Sequence, residues 1–156
     1  MDAQFIREDF AMKNPLLSLP GGFFASGVSA GLKPQGKLDL ALLYSKFPCE
    51  AAGMVTRNRM KAAPTRAMEA ALKGGRKVRA VVIHTKYANA LTGHQGMKDV
   101  EETARTAAKL LRVPPASILV NSTGVIGVPV PMAKVRRGVA RAARVLSHDG
   151  GYKAAQ

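Results

Sequence analysis

The chain has 156 residues, 47% of them hydrophobic, and carries 24 Lys and Arg against 10 Asp and Glu, a formal charge of +14. That length fits one domain able to bury a real core, and no apolar run approaches the roughly 20 residues that cross a bilayer, so no membrane span is expected. The single cysteine, Cys49, excludes an internal disulfide and suits a reducing cytoplasm, where it reads as a small buried hydrophobe and not a nucleophile. The charge points to polyanions, acidic small molecules or an acidic protein as partners.

Residues 1–20, MDAQFIREDFAMKNPLLSLP, mix acids with bases and lack a continuous apolar core. They read as a loosely ordered leader, neither secretory signal nor transit peptide. The domain itself is expected over 21–156. It begins with the glycine-rich GGFFASGVSAGLKPQG, and LDLALLYS follows as a strand. EAAGMVTRN is expected as the next strand, because Met54, Val55 and Thr56 favour extended backbone and Gly53 punctuates it. Pro64 opens a helix, PTRAMEAALKGG, that Gly74 and Gly75 close. VRAVVIHT is a short apolar run with β-branched residues, hence a buried strand.

Residues 97–112 form the clearest helix, with Val100, Ala104, Ala107 and Leu111 at helical spacing. Asp99, Glu101 and Glu102 fall near its expected start, where they suit the helix dipole. VPP ends it and ASILVNS is the following strand. Pro131 opens a last helix whose apolar stripe is Val135, Val139, Ala142 and Leu146, beside a basic stripe of Lys134, Arg137, Arg141 and Arg144. HDGGYKAAQ reads as a chain entering a further element. An early strand pair followed by strand, helix, strand, helix predicts a layered α/β (α+β) domain.

Most catalytic constellations are missing. His84, His94 and His148 are not spaced as metal ligands, and one thiol is too few for a typical zinc site. No P-loop, GxGxxG fingerprint or GxSxG elbow is present. Two small-residue loops remain, HTKYANALTGHQG at 84–96 and STGVIG at 122–127, each after a strand and before a helix, where α/β proteins place ligands. In the second, the Thr123 hydroxyl and the Gly124 N–H form a donor pair of the kind that stabilises a tetrahedral intermediate in acyl transfer. On residue chemistry alone the plainer reading also stands: Ser122, Thr123 and Gly124 satisfy a strand end and a turn.

Taken together, GFFASGVSAGLK, DLALL, AAGMVTRNRMKAAP, VRAVVIHTKYANALTG and NSTGVIGVPVPM resemble, in that order, the amino-terminal part of the ornithine acetyltransferase family. These are the bifunctional glutamate N-acetyltransferases of the cyclic arginine pathway. The resemblance runs from about Gly21 to Ala155, and its most specific pieces are AAGMVTRNRMKAAP and NSTGVIGVPVPM. It implies a layered α/β sandwich to which an amino-terminal and a carboxy-terminal (beta) chain of one autocatalytically cleaved precursor contribute, assembled as two copies of each. It further implies transfer of acetyl from N-acetylornithine to glutamate through a threonine at the start of the carboxy-terminal chain, whose own α-amine acts as base. The family's Thr-Gly oxyanion hole falls on Thr123 and Gly124. Asn89, in the matching Ala88-Asn89-Ala90, is a weaker substrate-binding candidate beside the pocket. No metal or organic cofactor is implied, and acetyl-coenzyme A stands as a second acetyl donor in bifunctional members.

Two departures from the family pattern bear on function. The family continues into a Met-Thr-Thr-Asp segment, a Lys-Gly segment and an Ala-Thr cleavage site, none of which occurs in the 156 residues. The polypeptide by itself is therefore expected to be truncated before the nucleophile and not to transfer acetyl groups. The loop that usually reads Asn-Ser-Gly-Asn-Ala-Asn-Ala is His84-Thr85-Lys86-Tyr87-Ala88-Asn89-Ala90 here. Two other readings stand beside the enzyme. One is a basic nucleic-acid-binding module, supported by the charge and the basic stripe, but opposed by 5% aromatics and the lack of RNP, KH or zinc-finger patterns. The other is a nonfunctional remnant of the enzyme. Arg57 and Arg59 are further groups suited to carboxylate substrates, with nothing in the sequence to single them out.

Overall fold

The computed structural model describes residues 19–156, so the expected leader lies outside the described residues except for its last two positions. Four strands form one sheet in the order β1 (Phe23–Val28), β2 (Leu40–Cys49), β3 (Val78–His84) and β4 (Ile118–Ser122). The first two pairings are antiparallel and the last is parallel. A parallel pair needs a crossover, and helix α2 (Gly93–Leu111) supplies it between β3 and β4. Helices α1 (Ala63–Lys73), α3 (Met132–Arg144) and the short α4 (Gly151–Ala155) complete the layers. The protein is thus a mixed α/β fold, as its alternation of elements predicts.

Register sets which side chains meet. Val28 lies opposite Leu40, which faces His84; Ser26, Leu42, Val82 and Val120 form the next row, and Tyr44, Ala80 and Ile118 the one after. Because side chains alternate along a strand, these rows share one face. Ala107 and Ala108 of α2 and Val135, Val139 and Ala142 of α3 close over it. Val135 and Val139 are fully buried, each contributing about 1.5–3 kcal/mol through burial. The Ser26 hydroxyl, on the same face, donates to the Ala142 carbonyl and ties α3 to β1. Helix α1 packs at the β4 side, with Ala63 beside Val100 and Val120.

Several expectations change. The early strand pair exists, but β2 pairs with Phe23–Val28 and not with EAAGMVTRN, whose residues 50–58 hold no strand. Met54 is wholly exposed there; extended propensity without a face to bury does not make a strand. Helix α2 starts at Gly93, a turn before the expected 97, so its first turn has no acid and Asp99, Glu101 and Glu102 lie deeper in it. Their placement therefore owes less to the helix dipole, whose effect falls off within the first turn. Leu146 lies past the end of α3, which closes at Arg144. Cys49 is half-buried at the end of β2, less enclosed than a core hydrophobe. The tail forms α4 against β1, where Ala25 and Ser147 exchange backbone hydrogen bonds of 2.9 and 3.0 Å.

Candidate functional site

The parallel strands β3 and β4 end side by side, with His84 opposite Ser122, and the two small-residue loops leave the sheet together. Beyond the strands the backbones stay zipped. Thr123 N–H donates to the His84 carbonyl (3.1 Å), Val125 N–H to Lys86 (3.0 Å), Ala88 N–H to Val125 (3.0 Å) and Gly127 N–H to Ala90 (2.9 Å). The Ser122 hydroxyl adds a bond to the Ala88 carbonyl at 2.8 Å. Two loops 38 positions apart in sequence are thus joined backbone to backbone.

Gly124 sits at the closest approach. Its φ is +133°, and a Cβ built there would lie 2.2 Å from the Lys86 carbonyl carbon. Only glycine meets both conditions. The N–H groups on either side of it, at Thr123 and Val125, are consumed by the zipper. The Gly124 N–H and the Thr123 hydroxyl have no hydrogen-bond partner among the described residues, and both residues are exposed. The two sequence candidates therefore form adjacent open donors on a braced backbone.

Strain gathers in the same place. Lys86 (φ 81°), Asn89 (48°) and Leu91 (55°) are all left-handed without being glycine. Such residues are held only where the surroundings over-determine them, and they cluster at working sites. Asn89 shows how. Its side chain is buried; Nδ2 donates to the Gly96 carbonyl at 3.0 Å, Oδ1 accepts from the Thr92 hydroxyl at 2.7 Å, and its own carbonyl accepts from Ala63 N–H at 3.1 Å. Gly96 has no room for a Cβ, which would lie 2.6 Å from Asn89 Oδ1. Asn89 thus fastens the loop to the starts of both α1 and α2, with its amide engaged inside the fold.

His84 lies under the loops, buried at the end of β3. Burial lowers its pKa from 6.5 to about 4, against an opposing pull from the Asp39 carboxylate and a hydrogen bond with the Thr85 backbone. The imidazole is therefore neutral at pH 7. Its Nδ1 and the Thr85 hydroxyl are buried with no partner among the described residues.

Beside Leu91 and Gly93 opens a cleft of about 250 Å³, into which Arg59, Lys61 and Arg66 also project. Lys61 is paired with Glu69 at 2.6 Å. Arg59 therefore sits where an anion could be met, whereas Arg57 lines neither this cleft nor the one adjoining it. The cleft was not legible in sequence, because it joins the irregular 59–61 stretch to a loop thirty residues on. Among the described residues no group of three His, Cys, Asp or Glu is placed to hold a metal, and no helix is long and apolar enough to cross a membrane.

Comparison with known proteins gives this geometry relatives. Residues 24–156 match the model of the ArgJ family. The arginine biosynthesis bifunctional protein ArgJ of Caldanaerobacter subterraneus subsp. tengcongensis is 49% identical over 140 residues, covering 89% of this chain and 34% of the relative. That of Symbiobacterium thermophilum is 46% identical over 142 residues, covering 90% and 35%. The ornithine acetyltransferase of Mycobacterium tuberculosis, solved in complex with ornithine, superposes with a TM-score of 0.86 at 39% identity, over 92% of this chain and 78% of that one. The chain spans about a third of the length of the curated relatives it matches.

Proposed function

The chain belongs to the ArgJ family, and from that premise we propose that it is the amino-terminal portion of a glutamate N-acetyltransferase of arginine biosynthesis. It contributes the oxyanion hole, and a carboxy-terminal chain contributes the nucleophile. The observation that carries this reading is the pair of open donors at Thr123 and Gly124, held on strained backbone at the ends of two parallel strands. In acyl transfer the acetyl carbonyl oxygen gains charge as a hydroxyl adds to its carbon. Donors already fixed at that position stabilise the charge without reorganising.

The partner's amino-terminal threonine attacks the acetyl carbonyl of N-acetylornithine, and its hydroxyl proton passes to its own α-amine. Thr123 Oγ1–H and Gly124 N–H hold the resulting oxyanion. The intermediate collapses with ornithine as the protonated leaving amine, and the glutamate amine then attacks the acetyl ester by the same route in reverse. Asn89 serves by holding the loop, and Arg59 and Arg66 offer charge to an incoming carboxylate. Acetyl-coenzyme A as second donor and an assembly of two copies of each chain belong to the same reading.

The test is to combine the purified 156-residue chain with the carboxy-terminal two thirds of the 49%-identical relative. The pair is expected to transfer acetyl from N-acetylornithine to glutamate, and the chain alone is not. Thr123→Ala, at an exposed residue whose hydroxyl bonds nothing in the described fold, should lower the rate of the pair by roughly 10²–10³, the usual loss for one oxyanion donor. Turnover by the chain alone, or a Thr123→Ala pair as fast as the parent, overturns the proposal.

A further inference from the structure

The basic stripe of α3 takes no part in the site above. Of the helix's five cations, Arg136 pairs with Glu102 of α2, and the four of the stripe, Lys134, Arg137, Arg141 and Arg144, have no carboxylate partner among the described residues. Arg137 and Arg141 are one helical turn apart, where like charges repel. They flank a pocket of about 190 Å³ whose other walls are Ser29, Ala30 and Gly31, the loop after β1, and Gly138.

Two features make this pocket a built one. Gly138 lets α3 lie against the loop; a Cβ there would come within 2.5 Å of Ala30 Cβ and 3.0 Å of Leu40 Cδ1. The loop also curls around the buried Asp39 carboxylate, which accepts the N–H groups of Ala30 (2.6 Å), Leu32 (2.6 Å) and Lys33 (2.8 Å). Those N–H groups are spent on Asp39, while two of the loop's carbonyls take up the cations of α3. Ser29 accepts from Arg141 at 2.7 Å and Gly31 from Lys134 at 2.8 Å. The carbonyls fix two cations in place without neutralising them, and Arg141 keeps further N–H donors free. The Asp39 carboxylate beside the loop is already engaged by those three N–H groups.

We propose that the pocket between Arg137 and Arg141 binds a phosphate-class dianion, a free phosphate or the terminal phosphate of a small phosphorylated molecule. Two guanidinium forks match a tetrahedral oxyanion, and Lys134 adds a third charge beside them. The inference is independent of acetyl transfer and stands or falls apart from it.

The full 156-residue chain is titrated with inorganic phosphate at constant ionic strength, while arginine Nε and backbone amide resonances are followed. Saturable shifts are expected at Arg137, Arg141 and residues 29–31, with chloride and acetate giving none. Arg137→Gln and Arg141→Gln should each weaken binding at least about tenfold, and Arg137→Lys, which keeps charge but loses the fork, about threefold. Lys109→Gln, removing one charge on α2, should leave it unchanged. A small phosphate monoester that binds more tightly than phosphate at the same resonances would identify the terminal-phosphate source, and equal affinity the free ion. Shifts spread over all basic residues, no saturation, or binding indifferent to both arginine variants overturns the site. Binding of duplex DNA without saturable phosphate binding overturns it too, in favour of a nucleic-acid surface.

Discussion

Lys86 occupies a left-handed backbone position (φ 81°), and its carbonyl accepts one of the hydrogen bonds that hold the STGVIG turn. A left-handed L-residue is strained by about 1–2 kcal/mol, and glycine's greater unfolded-state entropy returns only about 0.5–1 kcal/mol of that. Lys86→Gly should therefore stabilise the chain by about 0.5–1 kcal/mol, read as a higher urea midpoint at unchanged slope. A lower midpoint would mean that the lysine stem makes contacts worth more than the strain. His84 makes a second prediction. Its folded pKa, about 4, lies below the unfolded 6.5, so the unfolded state binds the extra proton between those values. Stability is full above pH 6.5 and falls as the pH drops toward 4, by roughly 3 kcal/mol in all. Because the His84 carbonyl anchors Thr123, the site should loosen over the same range. Urea midpoints from pH 7.5 to 4.5 test this; His84→Asn should flatten the part of the slope between 6.5 and 5, above the range of ordinary carboxylates.

Elements are held by close approaches as much as by core volume. Gly27, in β1, faces the tail so tightly that a Cβ would lie 1.9 Å from the Lys153 carbonyl, and Gly150 makes the reciprocal approach to Ala25. Gly27→Ala should push α4 off the sheet at a cost of about 1–3 kcal/mol, the usual range for overpacking. Hydrogen exchange would show lost protection at 147–155 with β2 and β3 unchanged; protection retained there would place the clash elsewhere. The same glycine explains what sequence reading missed. Phe24, Ser26 and Val28 alternate as a strand should, but Gly27 and the small residues around it read as punctuation until the tail that needs them is in place. VRAVVIHT and ASILVNS were legible because their apolar runs are local, as was the stripe Val135, Val139 and Ala142. Thr123 and Gly124 were legible as a motif. The zipper that braces them, the part Asn89 plays between α1 and α2, and the strain at Lys86 depend on contacts that no local pattern encodes.

At the scale of the molecule, apolar surface collects around the open donors. Leu91, Val125, Ile126 and Val128 are all exposed, Ile126 to 61%. The second face of the sheet is also apolar and only half-buried, lined by Ala41, Leu43, Val81, Ile83 and Leu119. A monomer rarely leaves such surface grouped about one site unless something covers it. The part of this chain that matches the relatives spans only 34–35% of their length, and the proposed nucleophile must approach Thr123 from outside it. The carboxy-terminal chain of the proposed enzyme is the occupant that meets both conditions. Ile126→Asp puts a charge at the centre of the patch without touching the buried core, so the melt of the chain by itself should stay within about 0.5 kcal/mol of the parent. Association with the carboxy-terminal part, followed by light scattering or co-purification, should weaken by at least about tenfold, because an unpaired charge would be buried on docking. Acetyl transfer by the mixture should fall in parallel and recover when the partner concentration is raised. If association holds at full strength while transfer is lost, the residue acts within the site and not at a docking surface. If both are unchanged, the patch is not where the second chain sits.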